Sequence, residues 1–311
     1  MPLVSVIIPT RNRAALLRQA IESVLAVGEA HRERFEFDVL VIDDESTDET
    51  SEAVAAYPVR FLHTDGAHGA SAGRNVGLAA AQGDYIAFLD DDDVWLPRNV
   101  SAQLDVLEAH PEYGLVFGQA QRTEADLTQY GDPVPEGPAT SGHIFERLLE
   151  FWPQIGTLLV RAEVARAAGP FDLALIADQD WDWLLRVAKR NEIGWIEEPV
   201  ILFRQRARAD LALMRKRLPF MVRVFHKNTR DLPLAQRARL ERILIRHRGW
   251  YASQFLNGSR ELASDGDRRE ARRALKYAFQ SSLPHTLYLL LTRRGRQDTA
   301  GVRTPAPGVS S

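Results

Sequence analysis

The chain contains no cysteine, which excludes disulfides and thiolate metal sites and fits a reducing compartment. Its first residues, Met1-Pro2-Leu3-Val4-Ser5, lack the basic segment and long apolar core of a secretory signal. No apolar run approaches the roughly 20 residues that span a bilayer; residues 283–291 come nearest and are interrupted by Pro284 and His285. No G-x-G-x-x-G follows the first apolar run, which argues against a dinucleotide oxidoreductase. The residues at that place, Thr10-Arg11-Asn12-Arg13, include no glycine for the phosphate loop of a sugar-phosphate nucleotidyltransferase. Nucleic acid is not an expected partner either, because the basic residues come without an aromatic platform motif.

What is present is an uneven charge. Residues 1–200 hold 15 Lys and Arg against 34 Asp and Glu, net −19, whereas residues 201–311 hold 24 against 8, net +16. The two parts are therefore expected to meet different partners. A solvated face explains the basic part most cheaply, and peripheral contact of its helices with the inner face of a membrane is the sharper reading. The 311 residues suffice for one large α/β domain with an appendage.

Strand and helix patterns alternate through the first 110 residues. Residues 3–9, 37–42, 59–62 and 85–89 read as buried strands, and 14–27, 48–57, 69–82 and 97–110 as helices. This order predicts a mostly parallel twisted sheet flanked by helices. Further strands are expected at 113–121, 155–160 and within 193–203, with helices at 163–168 and 181–190 and a mobile loop over 131–142, rich in Pro and Gly. After residue 209 only helices are read, at 209–228, 233–257 and 266–281. The predicted division is a sheet domain over 1–205 (halves of about 1–112 and 113–205), a helical region over 206–294 and a disordered tail over 295–311.

In a parallel sheet, ligands bind beyond the carboxyl ends of the strands. Three polar clusters fall at such ends: Thr10-Arg11-Asn12, Asp43-Asp44 and Asp90-Asp91-Asp92-Asp93. Four successive carboxylates repel one another. A solvated turn tolerates them, and a hard divalent cation, Mg²⁺ or Mn²⁺, would bind them.

Five segments carry a family resemblance. Val4-Ser5-Val6-Ile7-Ile8-Pro9-Thr10-Arg11-Asn12-Arg13 resembles the opening strand of the family 2 glycosyltransferases, which have a GT-A fold. Val41-Ile42-Asp43-Asp44-Glu45-Ser46-Thr47-Asp48 is similar to their VDDGSTD segment, and Ala72-Gly73-Arg74-Asn75-Val76-Gly77 to their AARNxG. The run from Phe88 to Pro97 resembles FLDSDDxWxP, and Asp180-Trp181-Asp182-Trp183-Leu184-Leu185-Arg186 resembles EDWDLWLR. The match covers about residues 3–205. It implies a GT-A, Rossmann-like fold with a C-terminal all-helical extension, and inverting transfer of a sugar from a UDP- or dTDP-sugar to a hydroxyl on a glycan, lipid-linked glycan or small metabolite.

The resemblance also implies roles. Thr10, Arg11, Asn12, Asp43, Asp44, Arg74, Asp90 and Asp91 would bind the donor, with Asp43 suited to the imide N–H of the base. Asp92 and Asp90 would hold the divalent metal, and Asp180 would be the general base. Three departures stand out: Gln179 where the family often has Glu, Glu45 where it has a glycine of easy positive φ, and Leu202-Phe203-Arg204-Gln205-Arg206 where many members have a histidine metal ligand. Arg204 or Arg206 is expected against the diphosphate in its place. The missing histidine and Gln179 motivate a rival reading, a non-catalytic nucleotide-sugar-binding or scaffold protein on the same fold.

Plainer readings compete at single residues. Asp180 has the residue type of a helix N-cap, with Asp178 as the alternative cap, and Asp48 reads as a helix-start charge. The small residues around Arg74 suggest close approach of a ligand. Trp181, Trp183 and Trp195 are expected in the core and Trp152 nearer the acceptor, while His63, His68 and His143 show no ligand spacing.

Overall fold

The computed structural model describes residues 1–205 and 210–291; Arg206 and the tail over 295–311 lie outside the described residues. The chain divides into two compact units. The first comprises Met1–Leu175 and Gln179–Gln205; the second comprises Ile176–Asp178 and the helical residues that follow position 205.

The first unit is built on eight strands: β1 (Leu3–Thr10), β2 (Glu36–Asp43), β3 (Arg60–His63), β4 (Tyr85–Phe88), β5 (Val94–Trp95), β6 (Tyr113–Thr123), β7 (Leu158–Arg161) and β8 (Glu192–Arg204). They form one sheet in the order β3-β2-β1-β4-β7-β6-β8-β5. The pairings β2–β3, β1–β2 and β1–β4 are parallel. Beyond β4 the sheet turns mixed: β7 runs antiparallel to both β4 and β6, β6 and β8 are parallel, and β5 is antiparallel to β8. β1 is central, and its apolar residues on both faces are buried from Val4 onward, as expected for a strand covered on two sides.

Seven helices belong to this unit: α1 (Ala14–Ala30), α2 (Thr50–Ala55), α3 (Ala70–Ala80), α4 (Ser101–Ala109), α5 (Phe145–Leu148), α6 (Ala162–Ala168) and α7 (Gln179–Ala188). α1 buries Leu17, Ala20, Ile21, Val24 and Val27, a stripe at helical spacing. α3 lies close on β1 because its glycines face the strand: a Cβ on Gly77 would come within 2.4 Å of Ile7 Cγ2, and one on Gly73 within 2.8 Å of Pro9 Cβ. Gly73 and Gly77, on either side of Arg74, thus serve helix–strand packing.

Two local departures have physical causes. The helix expected from 97 begins at Ser101, because Asn99 turns inward and donates to the carbonyls of Gly156 and Val200 while Val100 takes a φ of 66°. The loop over 131–142 is laced to the sheet: Val134 and Ala120 exchange backbone hydrogen bonds, as do Gly142 and Ile193.

The second unit holds α8 (Leu211–Thr229), α9 (Leu234–Ser264), α10 (Arg268–Ser281) and α11 (Leu283–Leu291). Asp210 caps α8 by accepting from the amides of Ala212 and Leu213, and Asp267 caps α10 through the amide of Glu270. Met221, Val224, Phe225, Tyr251, Ala252 and Phe255 form its buried apolar interior. In the same unit Arg217 donates through Nε (3.1 Å) and Nη2 to Asp178 Oδ1. α9 runs past the expected end at 257, and α11 was not expected because Pro284 and His285 interrupt its apolar run. Among the described residues no helix is long and apolar enough to cross a membrane.

Candidate active site

The carboxyl ends of β1, β2 and β4 open on one edge of the sheet, since the three strands are adjacent and parallel. In register, Thr10 stands opposite Asp43. From the next strand over, Asp91 Oδ2 accepts a hydrogen bond from Thr10 Oγ1 at 2.7 Å. The three polar clusters read from the sequence therefore meet at this edge.

The acidic turn is held from three directions. Arg13 Nη1 donates to Asp91 Oδ1 at 2.9 Å and to Asp92 Oδ2 at 2.7 Å. Arg74, wholly buried, donates through Nη2 to Asp90 Oδ1 at 2.5 Å. The amide of Arg204 donates to Asp93 Oδ1 at 3.0 Å. Burial pushes the Asp91 carboxyl above the usual carboxylate range even though Arg13 pulls it down. Burial, then the charge of Asp90, raises Asp92 to about 6. Burial raises Asp93 well above its ordinary value. Arg13 is itself raised, because Asp91 and Asp92 outweigh the opposing effect of its own burial.

Arg13 was not singled out from the sequence, yet it neutralises two of the four aspartates. The available signal was a basic residue just past the end of β1, on the edge where an acidic run needs compensation.

At the β2 end the two aspartates part company. Asp43 accepts from the Ser46 amide through both oxygens, at 3.3 and 3.1 Å, and His63 Nδ1 lies 3.5 Å from it. Asp44 is surrounded by the amide of Gly69 (2.8 Å), Thr64 Oγ1 (3.0 Å), His68 Nδ1 (3.1 Å) and Arg11 Nη1 (3.4 Å). Burial alone would raise its pKa, but these hydrogen bonds hold it below the ordinary value. Asp44 and Arg11 thus brace the entry to α3. Asn12 is likewise a loop brace, accepting from the Thr47 amide at 2.7 Å and donating its own amide to Ser46 Oγ at 2.8 Å. His63 and His68 are contacts of the two aspartates, which their sequence spacing did not suggest. Glu45 adopts φ 57°, so this turn takes a positive φ without a glycine, at a cost of roughly 1–2 kcal/mol. Asp48 accepts from the amides of Ala14 (3.1 Å) and Thr50 (3.1 Å), a loop and helix-start role.

A packed aromatic cluster connects this edge to α7. Asn75, next to Arg74, clamps Phe171 by donating Nδ2–H to its carbonyl (3.0 Å) and accepting its amide (2.7 Å). The Arg74 guanidinium lies over the Phe171 ring at 5.7 Å. Phe171 in turn stacks on Trp183 at 5.2 Å, and Phe88 of β4 packs edge-on against both rings at 5.6 Å. Phe88 stands two residues before Asp90, and Trp183 three residues after Asp180. One turn of helix rises about 5.4 Å, so the acidic turn and the first turn of α7 issue from the same knot of side chains. Asp180 is buried and accepts from the Trp181 amide at 2.8 Å. Asp178 is engaged by Arg217 and has φ 58°.

Several other expectations are corrected or refined. Arg204 comes to the acidic turn, but its side chain donates to the carbonyls of Asp92 and Ala125 and to Gln19 Oε1, so it clamps the turn's backbone. Trp152 is buried at 4% exposure and stacks on Trp181 at 4.4 Å. Its ring is part of the core with Trp181, Trp183 and Trp195 and is not an open acceptor platform. The short strand β5, just after the aspartates, pairs with β8 and fixes the far end of the turn.

A family model for glycosyl transferase family 2 matches residues 5–158. An Escherichia coli protein named UDP-Glc:alpha-D-GlcNAc-diphosphoundecaprenol beta-1,3-glucosyltransferase WfgD is 34% identical over 197 residues, spanning 62% of this chain and 73% of that protein. An uncharacterized glycosyltransferase of Rickettsia felis is 32% identical over 205 residues, 63% of this chain but 32% of its own length. The chain thus spans less than two thirds of some of the curated relatives it matches. Among solved structures, Staphylococcus aureus TarS 1–349 in complex with UDP superposes with a TM-score of 0.63 at 17% identity, covering 95% of this chain and 92% of that one. The mannosyltransferase PcManGT of Pyrobaculum calidifontis, in complex with GDP-Man and Mn²⁺, gives 0.58 at 19% identity, covering 95% and 82%. At these identities the structures establish the shared fold.

Proposed function

The chain belongs to the family 2 glycosyltransferases, with their GT-A fold, and from that premise we propose that it is an inverting transferase moving a sugar from a UDP- or dTDP-sugar to a hydroxyl on a glycan, lipid-linked glycan or small metabolite. The observation that carries the reading is the Phe88–Phe171–Trp183 cluster, which ties the acidic turn after β4 to the helix beginning beside Asp180. The UDP-glucose donor and lipid diphosphate acceptor in the name of the E. coli relative, and the UDP bound to TarS, support the donor and acceptor classes. A cytoplasmic location, peripheral at the inner face of a membrane, belongs to the same reading.

The residues suit a divalent cation. Among the described residues no cluster of three or more His, Asp and Glu is built to hold a metal, but Mg²⁺ and related ions commonly take only one or two carboxylates and complete their shell with substrate phosphates and water. Asp92, raised to about 6 by burial and by the charge of Asp90, marks a pair of carboxylates that a cation would relieve. Asp92 and Asp90 would hold it, and bound there Mn²⁺ or Mg²⁺ would supply Lewis-acid stabilisation of the departing diphosphate. The Mn²⁺ in the complex of the mannosyltransferase is consistent with this choice.

The protein's own groups divide the remaining work. Asp43 accepts the imide N–H of the base, and Thr10 holds Asp91 in place beneath the donor. Arg74 holds Asp90 in place through Nη2, and its Nε and Nη1, buried without a protein hydrogen-bond partner, offer N–H donors to the diphosphate. Asp180 takes the proton of the acceptor hydroxyl as that oxygen attacks the anomeric carbon. The bond from the anomeric carbon to the diphosphate oxygen breaks on the opposite face, and its electron pair leaves with the nucleoside diphosphate, which inverts the configuration.

A thermal-shift panel of UDP-, dTDP- and GDP-sugars with and without Mn²⁺ tests the proposal. Stabilisation by a UDP- or dTDP-sugar that deepens with Mn²⁺ supports it, by about 2.7 kcal/mol at a hundredfold excess over Kd. No shift with any nucleotide contradicts it and favours a scaffold role.

A further inference from the structure

Helix α11 has its polarity reversed. Leu283, Leu287, Tyr288, Leu290 and Leu291 are 55%, 42%, 49%, 45% and 83% exposed, half of the large exposed hydrophobics among the described residues and all within nine positions. Such clustering marks an interaction surface, where scattered apolar residues would not. Leu283, Leu287, Leu290 and Leu291 follow the i, i+4, i+7, i+8 spacing of one helix face, with Tyr288 at its border. The polar residues point the other way. Thr286 is fully buried and donates to the carbonyls of Ala278 and Ser282, both at 2.9 Å, and His285 Nε2 shares a hydrogen bond of 2.9 Å with Ser253 of α9. A helix meant to face water has the opposite arrangement.

The charge beside this face identifies what covers it. α10, packed against α11, exposes Arg268, Arg269, Arg272, Arg273 and Lys276 at i, i+1, i+4, i+5 and i+8. In the sequence, residues 271–291 contain three Lys and Arg and no Asp or Glu. A second copy of the same face would set these cations against themselves across a two-fold axis. An anionic lipid surface accepts both features: leucines in the acyl boundary, and tyrosine and arginines at the headgroups. Nine residues rise about 13.5 Å, far short of a hydrocarbon core of about 30 Å, so α11 lies in the interface and does not span it.

We propose that the exposed leucine face of α11 inserts into the headgroup boundary of an anionic membrane, with the cations of α10 on the surrounding phosphates. This rests on the proposed function only for its purpose, presenting the enzyme to a lipid-linked acceptor.

Co-sedimentation of the full chain with phosphatidylcholine vesicles containing 30% phosphatidylglycerol, and with pure phosphatidylcholine vesicles, tests it. The expected result is binding to the anionic vesicles, weakened at least tenfold by Leu287→Ser/Leu291→Ser and also by Arg272→Glu/Arg273→Glu, with unchanged thermal melts because these side chains are exposed. No binding to the anionic vesicles, or binding that the leucine variant retains, overturns the proposal. So does a concentration-dependent dimer in sedimentation equilibrium that the leucine variant dissolves, which would assign the face to a second copy. Donor hydrolysis in lipid-free buffer, measured on the same proteins, separates the two readings. Vesicle binding without hydrolysis counts against the transferase alone, and hydrolysis without vesicle binding counts against the membrane face alone.

Discussion

Arg74 is fully enclosed, and its Nη2 donates to Asp90 Oδ1 at 2.5 Å while the guanidinium lies over the ring of Phe171. The pair is buried on both sides, and removing one partner leaves the other charge without compensation. Arg74→Ala is therefore expected to lower unfolding stability by about 3–5 kcal/mol in urea titration. Arg74→Lys, which keeps the charge but loses the planar contact with Phe171, should fall between wild type and Arg74→Ala. A loss below about 1 kcal/mol in Arg74→Ala would mean that Asp90 is compensated elsewhere.

Gly77 tests the packing of α3 on β1. Alanine there gains about 1 kcal/mol of helix propensity, but its Cβ would lie 2.4 Å from Ile7 Cγ2 and 2.9 Å from Ile7 Cγ1. Overpacking of this kind costs typically 1–3 kcal/mol, so Gly77→Ala should destabilise. In an Ile7→Ala background the same change should be neutral or stabilising. A double-mutant cycle in chemical denaturation measures the coupling, and additive effects would contradict the contact.

Asn75 holds Phe171 through two hydrogen bonds, donor and acceptor, across 96 residues of sequence. Asn75→Ala should lower stability by about 2–4 kcal/mol, since it leaves a backbone amide and a carbonyl without their partner. It should also lower kcat more than it raises the donor KM, because it loosens the segment that leads to Asp180. Asn75→Asp keeps the acceptor and should show a smaller stability loss. Steady-state donor hydrolysis with matched thermal melts checks both.

His285 gives the helical unit a pH dependence. Burial holds its pKa below the ordinary 6.5, so the unfolded chain takes up the proton more readily than the folded one. The stability contributed by the neutral ring is complete above pH 6.5 and is lost as pH falls through 6.5 toward the lower folded-state value. The protection of α11 amides, relative to the intrinsic exchange rate at each pH, should fall between pH 7.5 and 5.5, and His285→Gln should flatten that dependence. An unchanged dependence in the variant would assign it to other groups.

How much of this could be read from the sequence depended on whether the deciding interaction was local. β1, β2 and β4 declared themselves as apolar runs followed by polar residues, and those runs located Thr10, Asp43 and Asp90 at one edge. The AGRNVG segment was legible as a motif, but its glycines answer to Ile7 and Pro9, and its asparagine to Phe171, all distant in sequence. The bridging of Asp91 and Asp92 by Arg13 was hidden for the same reason. The positive φ of Glu45 ran against its residue type because the surrounding loop, braced by Asn12, Asp43 and Ser46, dictates the turn. Trp152 reads as near the acceptor because nothing nearby in sequence reveals its stacking on Trp181. α11 escaped because Pro284 and His285 look like interruptions until His285 is seen to face Ser253.

The role of Asp180 can be measured most directly through Asp180→Asn, an isosteric change that leaves a hydrogen-bond acceptor for the Trp181 amide. Donor turnover with Mn²⁺ should fall by 10²-fold or more, the span general-base catalysis contributes, while UDP binding by calorimetry and the melting temperature stay at wild-type values. Wild-type turnover in this variant would contradict its assignment as the base and return it to a helix-start role.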